Sequence, residues 1–277
     1  MFGRMIKFSH SVFALPFALS SFAIATGGRL PGRTLLWVLV AMVGARSAAM
    51  GFNRLADQRY DALNPRTAGR ELPRGLLSRG QVWAFVLVSA AALVLAAAML
   101  NPLCLALSPV ALAIVFGYSY TKRFTSLSHA VLGLGLAVAP VGAWLAVRGE
   151  FSPVPLALAL AVLCWVAGFD VIYSCQDVEF DRAQGLFSLP ARLGVARALV
   201  AARVLHVAAV LFLLSLYWLA PLHPVYLAGV AGVAVLFVYE HSLVRAHDLS
   251  RVDAAFFTVN GFISLGYLAV TLAAVVL

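Results

Sequence analysis

Two short stretches of the chain carry residues whose types and spacing could do chemistry. Asn53, Asp57 and Asp61 recur at intervals of four, and Tyr173, Asp177 and Asp181 repeat that interval further on. On a helix, positions four apart stay near one face, drifting by about 40° per step, so each trio forms a polar stripe. Like charges at this interval repel one another, and carboxylates near a bilayer are costly, by about 2.5–3.5 kcal/mol at its centre. Two such clusters need compensating charge. Mg²⁺ shared between carboxylates and the phosphates of a substrate meets that need.

Each stretch follows about twenty apolar residues, enough for one membrane crossing. Apolar runs predict nine helices, at about 9–26, 34–55, 81–100, 102–119, 126–147, 154–176, 196–219, 223–241 and 253–276. The expected architecture is an all-α polytopic membrane protein: one domain over 1–277, its nine transmembrane helices bundled around a central cavity. Asn101 and Pro102 mark a very tight turn between the third and fourth helices. Asp57 and Asp177 are 120 residues apart, as are Asp61 and Asp181. This spacing suggests a four-helix unit used twice, about 1–119 and 126–241, with a ninth helix at 253–276.

Composition agrees with the spans. Of 277 residues, 63% are hydrophobic and 11% charged, a balance unsuited to a soluble domain. The net charge of +9 could suggest nucleic acid, but the arginines sit in short loops between apolar runs. With nine spans, sixteen Lys and Arg fall on the side of the N-terminus and three on the other, with Arg46 inside a span. The positive-inside rule then places the N-terminus and both aspartate stretches in the cytoplasm. The basic start and apolar run of the first thirty residues imitate a secretory signal; with further spans following, they read as a first span serving as its own insertion signal. Cys104, Cys164 and Cys175 match no zinc spacing and read as small packing residues.

Other polar residues are candidates by position. Asp170 stands one turn before Tyr173, and Arg46 two turns before Asn53, deep enough to call for an anionic neighbour or substrate. Arg66 and Arg70, in the long loop after the first stretch, could pair with phosphate or with lipid headgroups. Lys122 and Arg123 close the fourth helix, either as an interfacial snorkelling pair or with Lys122 on a diphosphate. Lys7 and His10 lie one turn apart at the start of the first helix; His10 is either a hydrogen-bonded structural residue or a substrate contact. Asn260 reads as glue between helices, and Glu179 and Arg182 as solvated.

These residues resemble the UbiA superfamily of intramembrane prenyltransferases. Asn53, Asp57, Asp61, Arg66, Thr67 and Arg70 meet its first signature. Asp170, Tyr173, Asp177, Asp181, Gly185 and Ser188 meet its second, and Lys122 its basic position before the fifth helix. The likeness covers nearly the whole chain and is greatest to the 4-hydroxybenzoate polyprenyltransferase branch. Arg54 and Glu71 depart from it, standing where many members carry an acidic residue and a proline.

The resemblance implies an enzyme of a bacterial inner membrane that moves a polyprenyl group from its diphosphate to a small aromatic acid in quinone biosynthesis. The acceptor would be 4-hydroxybenzoate, for ubiquinone, or alternatively a dihydroxynaphthoate, for menaquinone. Asp57, Asp61, Asp177, Asp181 and Asn53 would hold Mg²⁺; Lys122, Arg66 and Arg70 would add hydrogen bonds to the diphosphate. Tyr173 would stabilise the allylic cation. Arg46, with His10 or Lys7 behind it, would meet the acceptor's carboxylate, and Asp170 and Ser188 complete the substrate contacts. Haem farnesylation fits less well, since the loop lacks the Met-x-Arg-Thr form expected there. A transporter of cations or phosphate esters is the rival class, but the acids cluster on one side with no matching site opposite.

Overall fold

The computed structural model describes residues 2–5 and 13–277. Among these residues the secondary structure is helical, apart from one isolated bridge between Arg245 and Asp248. A short α1 (Phe2–Met5) precedes α2 (Leu15–Thr26), α3 (Gly32–Leu63), α4 (Arg79–Leu100), α5 (Pro102–Thr121), α6 (Ser128–Arg148) and α7 (Pro153–Ser174). A 3₁₀ turn (Cys175–Asp177) leads into α8 (Val178–Ala183) and α9 (Leu189–Leu193), followed by α10 (Val195–Leu219), α11 (Val225–Ser242), a π turn (Ala254–Val259) and α12 (Asn260–Val276). Eight helical stretches are long and apolar enough to cross a membrane, and Leu15–Thr26 is a shorter apolar helix beside them. The expected nine helices thus recur in order, the first only from Leu15: Phe13 and Ala14 form a turn, and residues 9–12 lie outside the described part.

Local chemistry sets the helix ends. Ser78 and Gln81 form a reciprocal capping box at the start of α4. Asn101 ends α4 and starts α5, its side chain accepting from Cys104 N at 2.9 Å while its amide donates to Leu145 O at 2.7 Å. That one residue accounts for the tight turn and pins it to α6. Gly149 closes α6 in the left-handed conformation, with φ 68°.

Packing follows the membrane rule that small residues let helices approach closely. A Cβ at Gly44 of α3 would lie 2.9 Å from both Ser89 O and Leu93 N of α4. The largest core unites α2, α6, α7, α10, α11 and α12 around Trp165, Tyr226, Tyr267 and Phe17. A smaller one joins Met5 of α1 to Leu55, Leu72, Leu77, Val82 and Val86. Large apolar side chains also face outward, among them Val88, Val204, Leu211, Val238 and Phe262. In water such a surface would be a liability; against lipid it is the proper exterior.

Two departures from the helical expectation bear on the site. The first acidic stretch rides on uninterrupted α3, which runs on to Leu63 rather than stopping near residue 55. The second does not lie on one continuous helix: α7 stops at Ser174, the 3₁₀ turn takes up Cys175–Asp177, and α8 carries Asp181. The tighter 3₁₀ winding changes the angular register, so Tyr173, Asp177 and Asp181 do not form the regular stripe that Asn53, Asp57 and Asp61 do.

Candidate active site

Both acidic stretches open into one polar chamber of about 330 Å³. Its lining includes Asn53, Asp57 and Asp61 from α3, Arg66 and Arg70 from the following loop, Lys122 after α5, His129 from α6, and Asp170, Tyr173, Asp177 and Asp181 from the α7–α8 region. Residues far apart in the chain therefore meet where the sequence pattern asks them to.

The loop after α3 makes the junction. Arg66 lays a fork on Asp177, with Nε 3.1 Å from Oδ1 and a terminal nitrogen 2.5 Å from Oδ2. Its other terminal nitrogen donates to the Tyr173 hydroxyl at 3.1 Å. Asn64 ties the same carboxylate to the end of α3, donating to Asp177 Oδ1 at 3.2 Å while its own oxygen accepts from Arg66 N. Burial lowers the Arg66 pKa, but the hydrogen bonds and charge of Asp177 outweigh it and the net displacement is upward.

Each of the four motif aspartates has a basic companion. Arg70 donates to both oxygens of Asp61, at 2.6 and 2.8 Å. Asp57 is held more loosely: Asn53 donates to it at 2.8 Å, and Arg123 approaches at 3.5 Å while spending its better bond on Ala56 O. Asp181 is fully buried, and Lys122 Nζ lies 2.8 Å from its Oδ1. That approach is Coulombic rather than an aligned hydrogen bond, and neither Asp181 oxygen accepts a hydrogen bond. The loops bearing this pair are stitched together, Phe187 N donating to Lys122 O at 2.7 Å.

The donor set suits a hard cation such as Mg²⁺. Carboxylate and amide oxygens are the preferred ligands, and Asp181 has two buried oxygens in want of donors or metal. Among the described residues no three acidic, His or Cys side chains already converge on one point. The fit is to an ion held by one or two carboxylates with phosphate oxygens completing the shell, the usual habit of Mg²⁺.

Asp170 differs from the other acids. Its partner is His129, whose Nδ1 lies 2.6 Å from Asp170 Oδ2 while Nε2 accepts from Leu189 N at 3.2 Å. Accepting at Nε2 leaves the ring proton on Nδ1, directed at the carboxylate. Beside Asp170 stands an aromatic wall, with the Tyr173 ring 4.1 Å from Phe256 and 5.9 Å from Phe257 between centroids.

A second, apolar cavity of about 670 Å³ is lined by α2 through α7. It starts one helical turn from the polar chamber on three helices: Met50 and then Arg46 on α3, Ser119 and then Val115 on α5, Leu132 and then Leu136 on α6. The expected single central cavity is thus two compartments in tandem.

Not every expected residue reaches the chamber. Arg46 lines the apolar cavity instead. Ser188 is fully buried, caps α9 with its Oγ accepting from Ala191 N at 3.3 Å, and does not line the chamber. His10 and Lys7 lie outside the described residues. Conversely, His129 enters the site without having been singled out, and Asn64 and Arg123 enter it without having been given a role there. Asn64 had a signal, standing at the close of the first stretch; His129, a lone histidine at a helix start, had none.

The UbiA prenyltransferase family model matches residues 14–266. This chain belongs to that family. As a UbiA member it is an integral membrane prenyltransferase. It is 32% identical over 237 residues to the 4-hydroxybenzoate octaprenyltransferase of Aeromonas salmonicida, covering 86% of this chain and 82% of that one. It is 33% identical to the enzyme of the same name from Edwardsiella ictaluri, covering 84% and 82%. Among solved structures, the apo UbiA homologue of Aeropyrum pernix K1 superposes with a TM-score of 0.86 at 34% identity, covering 94% of this chain and 96% of that one. The Archaeoglobus fulgidus UbiA homologue bound to DMAPP and Mg²⁺ shares the fold, with a TM-score of 0.79 at 20% identity and coverage of 99% and 98%.

Proposed function

We propose that this UbiA member transfers a polyprenyl group from its diphosphate to a small aromatic acid of the 4-hydroxybenzoate type, with Mg²⁺. The observation that carries the reading is the tandem of compartments: a polar chamber ringed by four aspartates and their cations, continued by an apolar cavity one turn deeper. An amphiphile with a diphosphate head and an isoprenoid tail matches that division. The names of the relatives supply the acceptor class, and a menaquinone-type dihydroxynaphthoate is the alternative acceptor.

Asp57, Asp61, Asp177, Asp181 and Asn53 would hold the metal. Bound there, Mg²⁺ supplies positive charge that stabilises the departing diphosphate. Lys122, Arg66 and Arg70 hydrogen-bond the diphosphate oxygens as the C1–O bond breaks and its electron pair leaves with the diphosphate. Tyr173, Phe256 and Phe257 present aromatic faces to the allylic cation and keep water from it. The electron-rich ring of the acceptor forms the new C–C bond. Asp170, held by His129 rather than by a permanent cation, accepts the ring proton. Arg46, at the boundary of the apolar cavity, is the candidate for the acceptor's carboxylate. The charge asymmetry of the loops supports a cytoplasmic N-terminus, with the chamber opening to that side.

The test is purified protein with polyprenyl diphosphate, Mg²⁺ and a panel containing 4-hydroxybenzoate and dihydroxynaphthoate. Mass spectrometry should show one acid alkylated in step with diphosphate release. Diphosphate release without any alkylated acid would refute the acceptor class.

A further inference from the structure

The π turn Ala254–Val259 interrupts the last long helix beside the aromatic wall. Such turns leave i−4 carbonyls without their usual backbone donors and recur at functional sites. Here one side chain serves those carbonyls. Asn260 is fully buried, and its amide nitrogen lies 3.1 Å from Ala255 O and 3.2 Å from Phe256 O. Its backbone N–H goes to Phe257 O. The same nitrogen is 3.0 Å from Glu240 Oε1 of α11, so its two protons serve three acceptors. On the other side, Asn260 Oδ1 accepts from Trp165 Nε1 at 2.5 Å. Trp165 lies on α7, the helix that carries Asp170 and Tyr173.

We infer that Asn260 is a positioning residue of the transfer reaction: it clamps the π turn to α7 and α11, and so fixes Phe256 and Phe257 against Tyr173 in the wall of the polar chamber. Asn260 does not line that chamber; Phe256, Phe257 and Tyr173 do. A regular α-helix would advance each residue by 100° instead of the smaller π step, turning both phenylalanines along the helix surface. The Phe256 ring, tilted against Tyr173 at 4.1 Å and edge-on to Phe169 at 5.1 Å, would lose those contacts. The inference rests on the proposed reaction, because what the wall shelters is the allylic cation before ring attack.

The test uses the full chain in detergent or nanodiscs, with Asn260→Ala and, should that variant fold poorly, Trp165→Phe, which removes the donor to Asn260 and keeps an aromatic ring. Two measurements are made on each. Hydrogen exchange should become faster across 254–259 than in α12. With polyprenyl diphosphate, Mg²⁺ and aromatic acid, the ratio of alkylated acid to water-captured prenyl alcohol should fall about tenfold or more, the scale of loss expected when a reacting partner is misplaced by an ångström. Affinity for the diphosphate should stay within about twofold, since the phosphate-binding residues are elsewhere. Adding Phe256→Leu to Asn260→Ala should cost no more than the worse single change, because both act through one ring. A purely structural Asn260 would lower the yield of folded protein and leave the product ratio alone; that result, or unchanged exchange over 254–259, overturns the proposal. Wild-type protein that alkylates no acid would instead refute the functional reading, while exchange over the π turn would still decide whether Asn260 holds it.

Discussion

The two acidic stretches spell nearly the same pattern and are built differently. The first lies on α3 without interruption, and its Asp57 is the loosest of the four carboxylates: its side chain is 29% exposed and its arginine stands 3.5 Å away. The second is broken by a 3₁₀ turn, and its Asp181 is sealed at 0% exposure against Lys122. One stretch presents a partly exposed carboxylate held by Asn53; the other buries one that faces Lys122 and accepts no hydrogen bond. Identical spacing in sequence thus yields one arm with an accessible carboxylate and one anchored arm, although Asp61, the counterpart of Asp181, is also buried beside its own cation, Arg70.

The comparison breaks most visibly if the acids are removed. Asp57→Asn and Asp177→Asn should each lower turnover by about 10²–10³-fold or more, with circular dichroism and gel filtration unchanged; near-wild-type turnover in either would dismiss the shared chamber. Chelating divalent cations should abolish wild-type turnover and Mg²⁺ restore it. A Mg²⁺ titration should then separate the arms, Asp57→Asn requiring more metal for half-activation than wild type.

The anchored arm is tested through stability. Lys122→Met leaves Asp181 buried without its counter-charge, which should cost about 3 kcal/mol and lower the thermal midpoint. Adding Asp181→Asn should recover part of that loss, and a double change as unstable as the single would show that the pair is not energetically coupled. Arginine replacements give the smallest effects. Arg66→Lys loses the fork on Asp177 and should raise the KM for prenyl diphosphate by roughly tenfold. Arg123→Lys, on the loosely held Asp57, should change it by less than about threefold.

Much of this was legible from sequence because membrane helices announce themselves: each long apolar run became a helix, and the Asn101–Pro102 turn fell where those residues stood. The carboxylates were legible because charge beside lipid is rarely left without a purpose. The 3₁₀ and π turns were not, since local winding is set by what packs around Asp177 and Asn260, and neither neighbourhood is written nearby in the chain. His129 stayed hidden because its meaning depends on Asp170, forty-one residues away. Ser188 was ambiguous for a related reason: a serine immediately before a helical turn is as good a helix cap as a ligand.

The tandem arrangement of compartments has a kinetic corollary. On the proposed reaction, a donor whose isoprenoid tail occupies the apolar cavity and whose head lies among the aspartates is a solute of the bilayer, whereas the aromatic acid is a solute of water. Encounter with the donor is then two-dimensional, and its saturation should follow mole fraction in the lipid phase: diluting the donor with inert phospholipid at constant bulk concentration should slow the enzyme as surely as withholding it.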